Sequence, residues 1–127
     1  MSNEALLRGI WLICVGATLW FALVPPQMGG LGGAGYHGVA FMVLGLLTPA
    51  AFPRLSLLLV WFALLALGGA IEVGQEFTDL GRSGEWADMR FNTIAATVGV
   101  IYAWIGRVLI KRVRNEKASS VSNGSSD

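Results

Sequence analysis

The sequence predicts an all-α protein, a membrane-embedded bundle of four helices. Apolar residues make up 54% of the 127 residues, whereas charged residues make up 13%, about half the share found in soluble domains. Four apolar stretches also approach the roughly 20 residues that a helix needs to cross about 30 Å of hydrocarbon. These stretches and their connections occupy almost the whole chain, so we expect a single transmembrane domain over residues 1–110.

The four predicted spans follow one another with short breaks, at residues 9–24, 36–52, 55–73 and 91–110. Arg8 precedes the first span as a basic residue precedes a secretory signal, but no small-residue cleavage pattern follows. Pro25-Pro26 instead ends the first span as a proline stop ends a helix. We therefore expect this helix to be retained. Pro53-Arg54 permits only a tight turn, which makes the second and third spans antiparallel neighbours.

Small residues mark the faces on which the third and fourth spans are expected to meet. Helices in membranes approach closely where Gly and Ala replace larger side chains. The residues concerned are Gly68, Gly69 and Gly74 on the third span and Ala95, Ala96 and Gly99 on the fourth.

The segment 111–127 begins with basic residues and ends in a Ser-rich run. Its composition predicts a disordered cytoplasmic tail. We interpret the basic residues as a general anchor among anionic lipid heads rather than as a specific lipid site.

The distribution of basic residues predicts how the bundle is oriented. If the four spans alternate in direction, seven of the nine basic residues fall on one side. The positive-inside rule makes that side, with both termini, cytoplasmic. The net charge of +1 gives no reason to expect a nucleic-acid partner, and the single cysteine, Cys14, cannot form an internal disulfide. The seven residues are Arg8, Arg54, Arg107, Lys111, Arg112, Arg114 and Lys117.

Polar residues gather at the ends of the third and fourth spans that face away from the cytoplasm. Glu72 and Gln75 are three residues apart, and Asp88 and Asn92 are four apart, so each pair lies on one helix face. Glu72 lies roughly 25 Å along its helix, near the edge of the hydrocarbon. An ionisable group at that depth calls for a partner. The sequence therefore predicts an extracytoplasmic pocket formed by His37, Glu72, Gln75, Arg82, Asp88 and Asn92.

Three of these residues are candidates for catalysis. Glu72 would serve as acid or base, Asp88 as its charged partner and His37 as a second proton carrier. For His37 taken alone, a cap at the membrane interface is the competing interpretation. We expect no metal and no cofactor.

The other three are candidates for binding. Arg82 offers a forked donor for a carboxylate or phosphate. Gln75 and Asn92 each donate and accept hydrogen bonds, as the recognition of a sugar or a peptide amide requires. A purely structural interpretation, in which the polar residues clamp the helices together, stands beside the functional one.

The order of these motifs along residues 36–105 resembles a known family. The motifs are His37 followed by Phe41 and Leu44, then Glu72-Val73-Gly74-Gln75, then Gly81-Arg82, and finally Asp88 with Asn92, Ala95 and Gly99. In this order they resemble the VanZ-like family of small bacterial membrane proteins. The chain departs from the family pattern at two places: Gly33-Ala34-Gly35-Tyr36 has no lysine or similar polar residue before the histidine, and Ala95 stands where the family has a glycine.

The resemblance implies a multi-pass protein of the bacterial cytoplasmic (inner) membrane with a cell-envelope role, in the best-known case reduced susceptibility to teicoplanin. The expected ligand is then a lipid-linked glycan or a peptidoglycan stem. A second hypothesis is a noncatalytic subunit that packs against other membrane subunits through its small-residue faces. A proton-coupled transporter is disfavoured, because no chain of ionisable residues continues inward from the pocket.

Overall fold

A computed structural model shows four helices and describes residues 3–24, 34–77 and 86–124. The helices are α1 (Asn3–Leu23), α2 (Ala34–Ala51), α3 (Leu57–Phe77) and α4 (Trp86–Gly124). Over these ranges the chain contains no strand, so the predicted all-α, four-helix fold is confirmed. α1, α3 and α4 are long and apolar enough to cross a membrane, and α2 is apolar over the shorter range Tyr36–Ala51.

The bundle turns its apolar side chains outward and several polar ones inward. Leu12, Ile13, Leu58 and Ile94 are each more than half exposed. A soluble bundle would expose such a surface to water only at the risk of aggregation, whereas lipid covers it. The buried polar residues are Thr18, His37, Thr48, Gln75 and Asn92. This distribution is that of a protein embedded in a bilayer.

Hydrogen bonds between tryptophan and threonine fix two antiparallel helix pairs. Nε1 of Trp11 on α1 donates to Oγ1 of Thr48 on α2 over 2.9 Å. Nε1 of Trp61 on α3 donates to Oγ1 of Thr97 on α4, also over 2.9 Å. Since buried polar groups in a membrane have no water to bond, each pair satisfies a donor that the sequence places inside the bundle.

The closest helix contact joins α2 and α4, which run parallel to each other. A Cβ built on Gly45 would lie 2.8 Å from the carbonyl oxygen of Ala96, and one built on Gly99 would collide with the carbonyl oxygen of Met42. Only glycine permits backbones to approach this closely. Gly99 therefore packs against α2, not against α3 as the sequence predicts.

The small residues of α3 face three neighbouring helices. Gly69 faces Met89 of α4 as predicted, and Gly68 lies between Asn92 of α4 and Phe41 of α2. Gly74 faces α1, because a Cβ there would meet Leu23 at 3.4 Å. Small residues indicate a close contact without identifying the partner helix, which is why the sequence predicts one interface for all of them.

Two arginines hold the end of α2. Nη2 of Arg107, on α4, donates to the carbonyl oxygen of Pro49 over 3.1 Å, and Nε of Arg8, on α1, donates to that of Ala51 over 3.3 Å. Arg107 also reaches the carbonyl oxygens of the α2–α3 turn. The last carbonyls of a helix lack partners within it, so these guanidinium groups complete the end of α2. We call this end of the bundle, where α1 and α3 begin, the basic end.

α4 continues well beyond the predicted fourth span. The sequence predicts a disordered tail from residue 111, whereas the structure keeps a helix to Gly124, with exposed side chains from Lys111 to Val121. Lys, Arg, Glu and Ala in this segment are strong helix formers, which favours continuation of a helix already begun in the bundle. The tail therefore differs from the sequence prediction over most of its length.

Candidate functional site

The predicted site residues that the structure describes lie at the end of the bundle opposite the basic end, where α1 and α3 finish and α2 and α4 begin. We call it the polar end. His37, Gln75 and Asn92 are almost fully buried there, at 1%, 4% and 2% exposure. Glu72 is partly buried, and its Oε1 is shielded from solvent. A cap at the membrane interface does not describe His37, since its ring is enclosed by the bundle.

Asn92 is the residue whose surroundings are most unusual. A Cβ built on Gly68 of α3 would lie 3.6 Å from Nδ2 of Asn92 and 3.5 Å from the ring of Phe41 on α2. The amide thus lies where three helices converge. Neither Oδ1 nor Nδ2 has a hydrogen-bond partner in the part of the chain that the structure describes. Buried amide groups in native proteins are nearly always bonded, so this one requires an explanation.

The three candidate catalytic residues lie at one level of the bundle, one turn beyond Asn92. His37 precedes Phe41 by four residues on α2, and Asp88 precedes Asn92 by four on α4. Glu72 follows Gly68 by four residues on α3, which runs the other way. His37, Asp88 and Glu72 therefore each lie about 6 Å nearer the polar end than Phe41, Asn92 and Gly68 respectively. Three ionisable side chains thus lie between the buried amide of Asn92 and the polar end of the bundle.

Gln75 has a structural bond that the sequence does not reveal. Its Nε2 donates to the carbonyl oxygen of Ala22, in the last turn of α1, over 2.8 Å. That carbonyl lies too near the end of α1 to be bonded within its own helix. Gln75 therefore ties α3 to α1, and its NH₂ group is engaged within the protein.

Asp88 is more exposed than the buried residues of the site. Asp88 is partly exposed in the first turn of α4, where a carboxylate interacts favourably with the positive end of the helix dipole. Arg82, predicted to bind an anion, lies outside the described residues. Among the residues that are described, no three His, Cys, Asp or Glu side chains are grouped so as to hold a metal ion.

Comparison with known protein families shows which family the chain belongs to. Residues 7–109 match the VanZ/LLP1 family, which is most of the sequence. The chain belongs to this family. The resemblance noted from the ordered motifs is therefore confirmed, and the VanZ/LLP1 match takes in all four helices together with both ends of the bundle. The exposed continuation of α4 beyond residue 109 lies outside it.

Two further comparisons found no match. No curated protein and no solved structure matches the chain.

Arg107 makes a further set of contacts that sequence reasoning missed. The sequence predicts only a charge that orients the protein, whereas the structure shows Arg107 donating to the carbonyl oxygens of Pro49, Pro53 and Leu55 at partly buried and exposed positions. A signal was present: Arg107 lies inside the predicted fourth span, and an ionisable residue within a span indicates a specific partner. The same rule had already singled out Glu72.

Proposed function

We propose that this VanZ/LLP1 protein acts at the bacterial cell envelope, with its polar end facing away from the cytoplasm. There it binds an envelope component that carries amide and hydroxyl groups, a lipid-linked glycan or a peptidoglycan stem. Asn92 recognises the ligand from within the bundle. Glu72, His37 and Asp88 form the layer in which a reaction on that ligand would take place, and Arg82 supplies a positive charge for an anionic group.

The observation that carries the proposal is the unsatisfied amide of Asn92. A buried polar group without a hydrogen bond costs about 1–3 kcal/mol, more than most single contacts contribute. Asparagine offers two donors and an acceptor, so a ligand that brings both an acceptor and a donor would satisfy it. Peptide amides and sugar hydroxyls have this character. The unbonded amide among the described residues supports the proposal of such a ligand.

Two features support the location. Ligands attached to a lipid reach a membrane protein by diffusing within the bilayer. The polar end suits such ligands, because it adjoins the apolar exterior that faces the lipid. The orientation follows from the basic residues, because Arg8 and Arg107 lie together at the basic end. The positive-inside rule assigns that end to the cytoplasm. The protein is accordingly proposed to be a multi-pass protein of the bacterial inner membrane.

Asn92→Leu tests the proposal, because leucine has a similar volume and no polar atoms. If Asn92 binds no ligand, its replacement is neutral or stabilising for the fold and leaves function intact. If Asn92 binds the ligand, the protein keeps its membrane abundance and loses its envelope function. The readout is the teicoplanin susceptibility of a bacterial host that expresses the wild type or the variant, with membrane abundance measured by immunoblot.

Thr97→Val provides the matched control on the same helix. This change removes the hydrogen bond from Trp61 and lowers stability, yet it lies more than one turn from Asn92. We expect Thr97→Val to retain the envelope phenotype at normal abundance. An Asn92→Leu protein with wild-type activity would contradict the proposal.

Glu72→Gln tests whether the protein only binds its ligand or also catalyses a reaction on it. The substitution keeps the shape and hydrogen-bonding capacity of the side chain but removes its ability to exchange a proton near neutral pH. Loss of the phenotype, with envelope lipids still retained by the purified protein in mass spectrometry, would indicate a reaction at Glu72. Full activity would rule out a catalytic role for this carboxylate.

The alternative function, a noncatalytic subunit of a larger complex, loses the feature on which it was based. That hypothesis required small-residue faces to be available to a partner. Gly45 and Gly99 instead face each other within the chain, and Gly69 and Gly74 contact α4 and α1. Purification in mild detergent tests the subunit hypothesis. Copurification with another membrane protein in a fixed ratio would support it.

A further inference from the structure

Basic side chains line a cavity at the basic end of the bundle. Arg107, Lys111 and Arg114 are spaced by four and three residues, so they share one face of α4. Together with Pro53 of the α2–α3 turn they border a cavity of about 730 Å³. Lys111 and Arg114 are exposed, and neither makes an ion pair within the described residues. The cavity therefore presents a concentrated positive charge.

An apolar groove runs into this cavity. It lies between α1, α2 and α4, has a volume of about 570 Å³ and is bordered almost entirely by apolar atoms. Its walls include Cys14, Val43 and Tyr102, and its floor includes Gly106. Two residues, Arg107 and Ile110, border the groove and the cavity alike.

We propose that the groove and the cavity together bind one anionic phospholipid of the surrounding bilayer. The acyl chain lies in the apolar groove, and the phosphate lies in the basic cavity, where Lys111 and Arg114 donate to its oxygens. Arg107 adds positive charge between the two regions while it holds the end of α2. This site is at the opposite end of the bundle from Asn92 and does not depend on the proposed function.

The charge and polarity of the surfaces favour this occupant. A groove with apolar walls that opens on the lipid-facing side of the helices suits a hydrocarbon chain, and lipid chains surround it in the membrane. The adjoining positive charge lies just beyond the predicted span, at the level of the headgroups, where anionic lipids attract Lys and Arg. A zwitterionic lipid would fill the groove without the same electrostatic gain.

The paired variant Lys111→Gln with Arg114→Gln tests the headgroup contact. The wild-type protein, purified in mild detergent from vesicles of equal phosphatidylglycerol and phosphatidylcholine, is expected to retain phosphatidylglycerol preferentially in native mass spectrometry. Each basic residue contributes about fivefold, so the pair should weaken that retention by more than tenfold. The control is Arg112→Gln with Lys117→Gln, two exposed residues of the same segment that do not border the cavity. It should behave as the wild type.

Gly106→Leu tests the groove independently. A Cβ built on Gly106 meets no atom within 4 Å, so a side chain at this position can extend into the groove that Gly106 borders. We expect Gly106→Leu to reduce lipid retention severalfold at unchanged folding. Gly16→Leu is the control, since its Cβ position is equally open and it does not border the groove.

Two results would overturn the proposal. Equal losses in the paired variant and its charge-matched control would mean that anionic lipids gather around the segment without a defined site. Equal retention of both lipids by the wild type would mean that no headgroup is recognised.

Discussion

The side-chain amide of Gln75 bonds the carbonyl oxygen of Ala22 at the end of α1, over 2.8 Å. Asn92, about two helical turns deeper in the same bundle, carries the same functional group without any such bond among the described residues. Two buried amides of one protein thus differ in what they do for the fold. Gln75 joins α3 to α1 through its hydrogen bond, whereas burial of the Asn92 amide costs stability that no hydrogen bond within the described residues offsets.

Gln75→Leu should lower the free energy of unfolding by about 0.5–1.5 kcal/mol, because it removes the buried hydrogen bond that joins α3 to the carbonyl oxygen of Ala22. Asn92→Leu should leave the free energy of unfolding unchanged or raise it. Both can be measured by denaturation in mixed detergent micelles followed by tryptophan fluorescence. Equal destabilisation by the two substitutions would show that Asn92 also has a structural partner.

Gly99→Ala should destabilise the bundle by about 1–3 kcal/mol, because the added methyl group meets the backbone of α2 at Met42 and forces the helices apart. Gly106→Ala serves as the comparison on the same helix. Its Cβ position is open, so the better helix propensity of alanine should raise stability by about 0.5–1 kcal/mol. The same unfolding assay compares the two variants. A Gly99→Ala protein as stable as the wild type would disprove the close contact between α2 and α4.

Arg107→Gln should lower stability by about 1–3 kcal/mol, since it removes charged donors from the carbonyl oxygens of Pro49, Pro53 and Leu55. Arg112→Gln removes the same charge from an exposed position on α4 and should change stability by less than about 0.5 kcal/mol. Hydrogen exchange at the end of α2 provides a local readout. Unchanged protection there in Arg107→Gln would contradict the capping role.

Cysteine labelling tests the orientation. In a Cys14→Ser background, Trp86→Cys places a thiol at the polar end and Val121→Cys places one at the far end of α4, both at exposed positions. A membrane-impermeant maleimide added to intact cells should label Trp86→Cys alone, and cell lysis should expose both. The reverse pattern would place the polar end in the cytoplasm.

Much of the fold is predictable from the sequence because span length and hydropathy depend on local composition. The four helices and the break at Pro53 follow from runs of apolar residues and from helical spacing. The partner of Gly99 does not follow. A glycine indicates that some backbone comes close, and only the packing of all four helices determines that it is α2.

The candidate site is also predictable from the sequence only in part. The spacing of Glu72, Asp88 and Asn92 predicts that they lie at the same end of the bundle, since antiparallel helices bring those ends together. That Gln75 is bonded and Asn92 is not depends on where α1 ends relative to α3. Sequence periodicity contains no information about such an offset between separate helices.

The contact between Gly45 and Gly99 limits how the protein can move. Backbones packed at this distance have no side chains to rearrange between them, so α2 and α4 must shift as one rigid unit. α1 and α3 are joined to that unit by side-chain hydrogen bonds from Trp11, Trp61 and Arg8 and by the packing of the buried core. An opening towards the buried amide therefore requires α1 or α3 to move away from the α2–α4 pair, on a side that the bilayer covers.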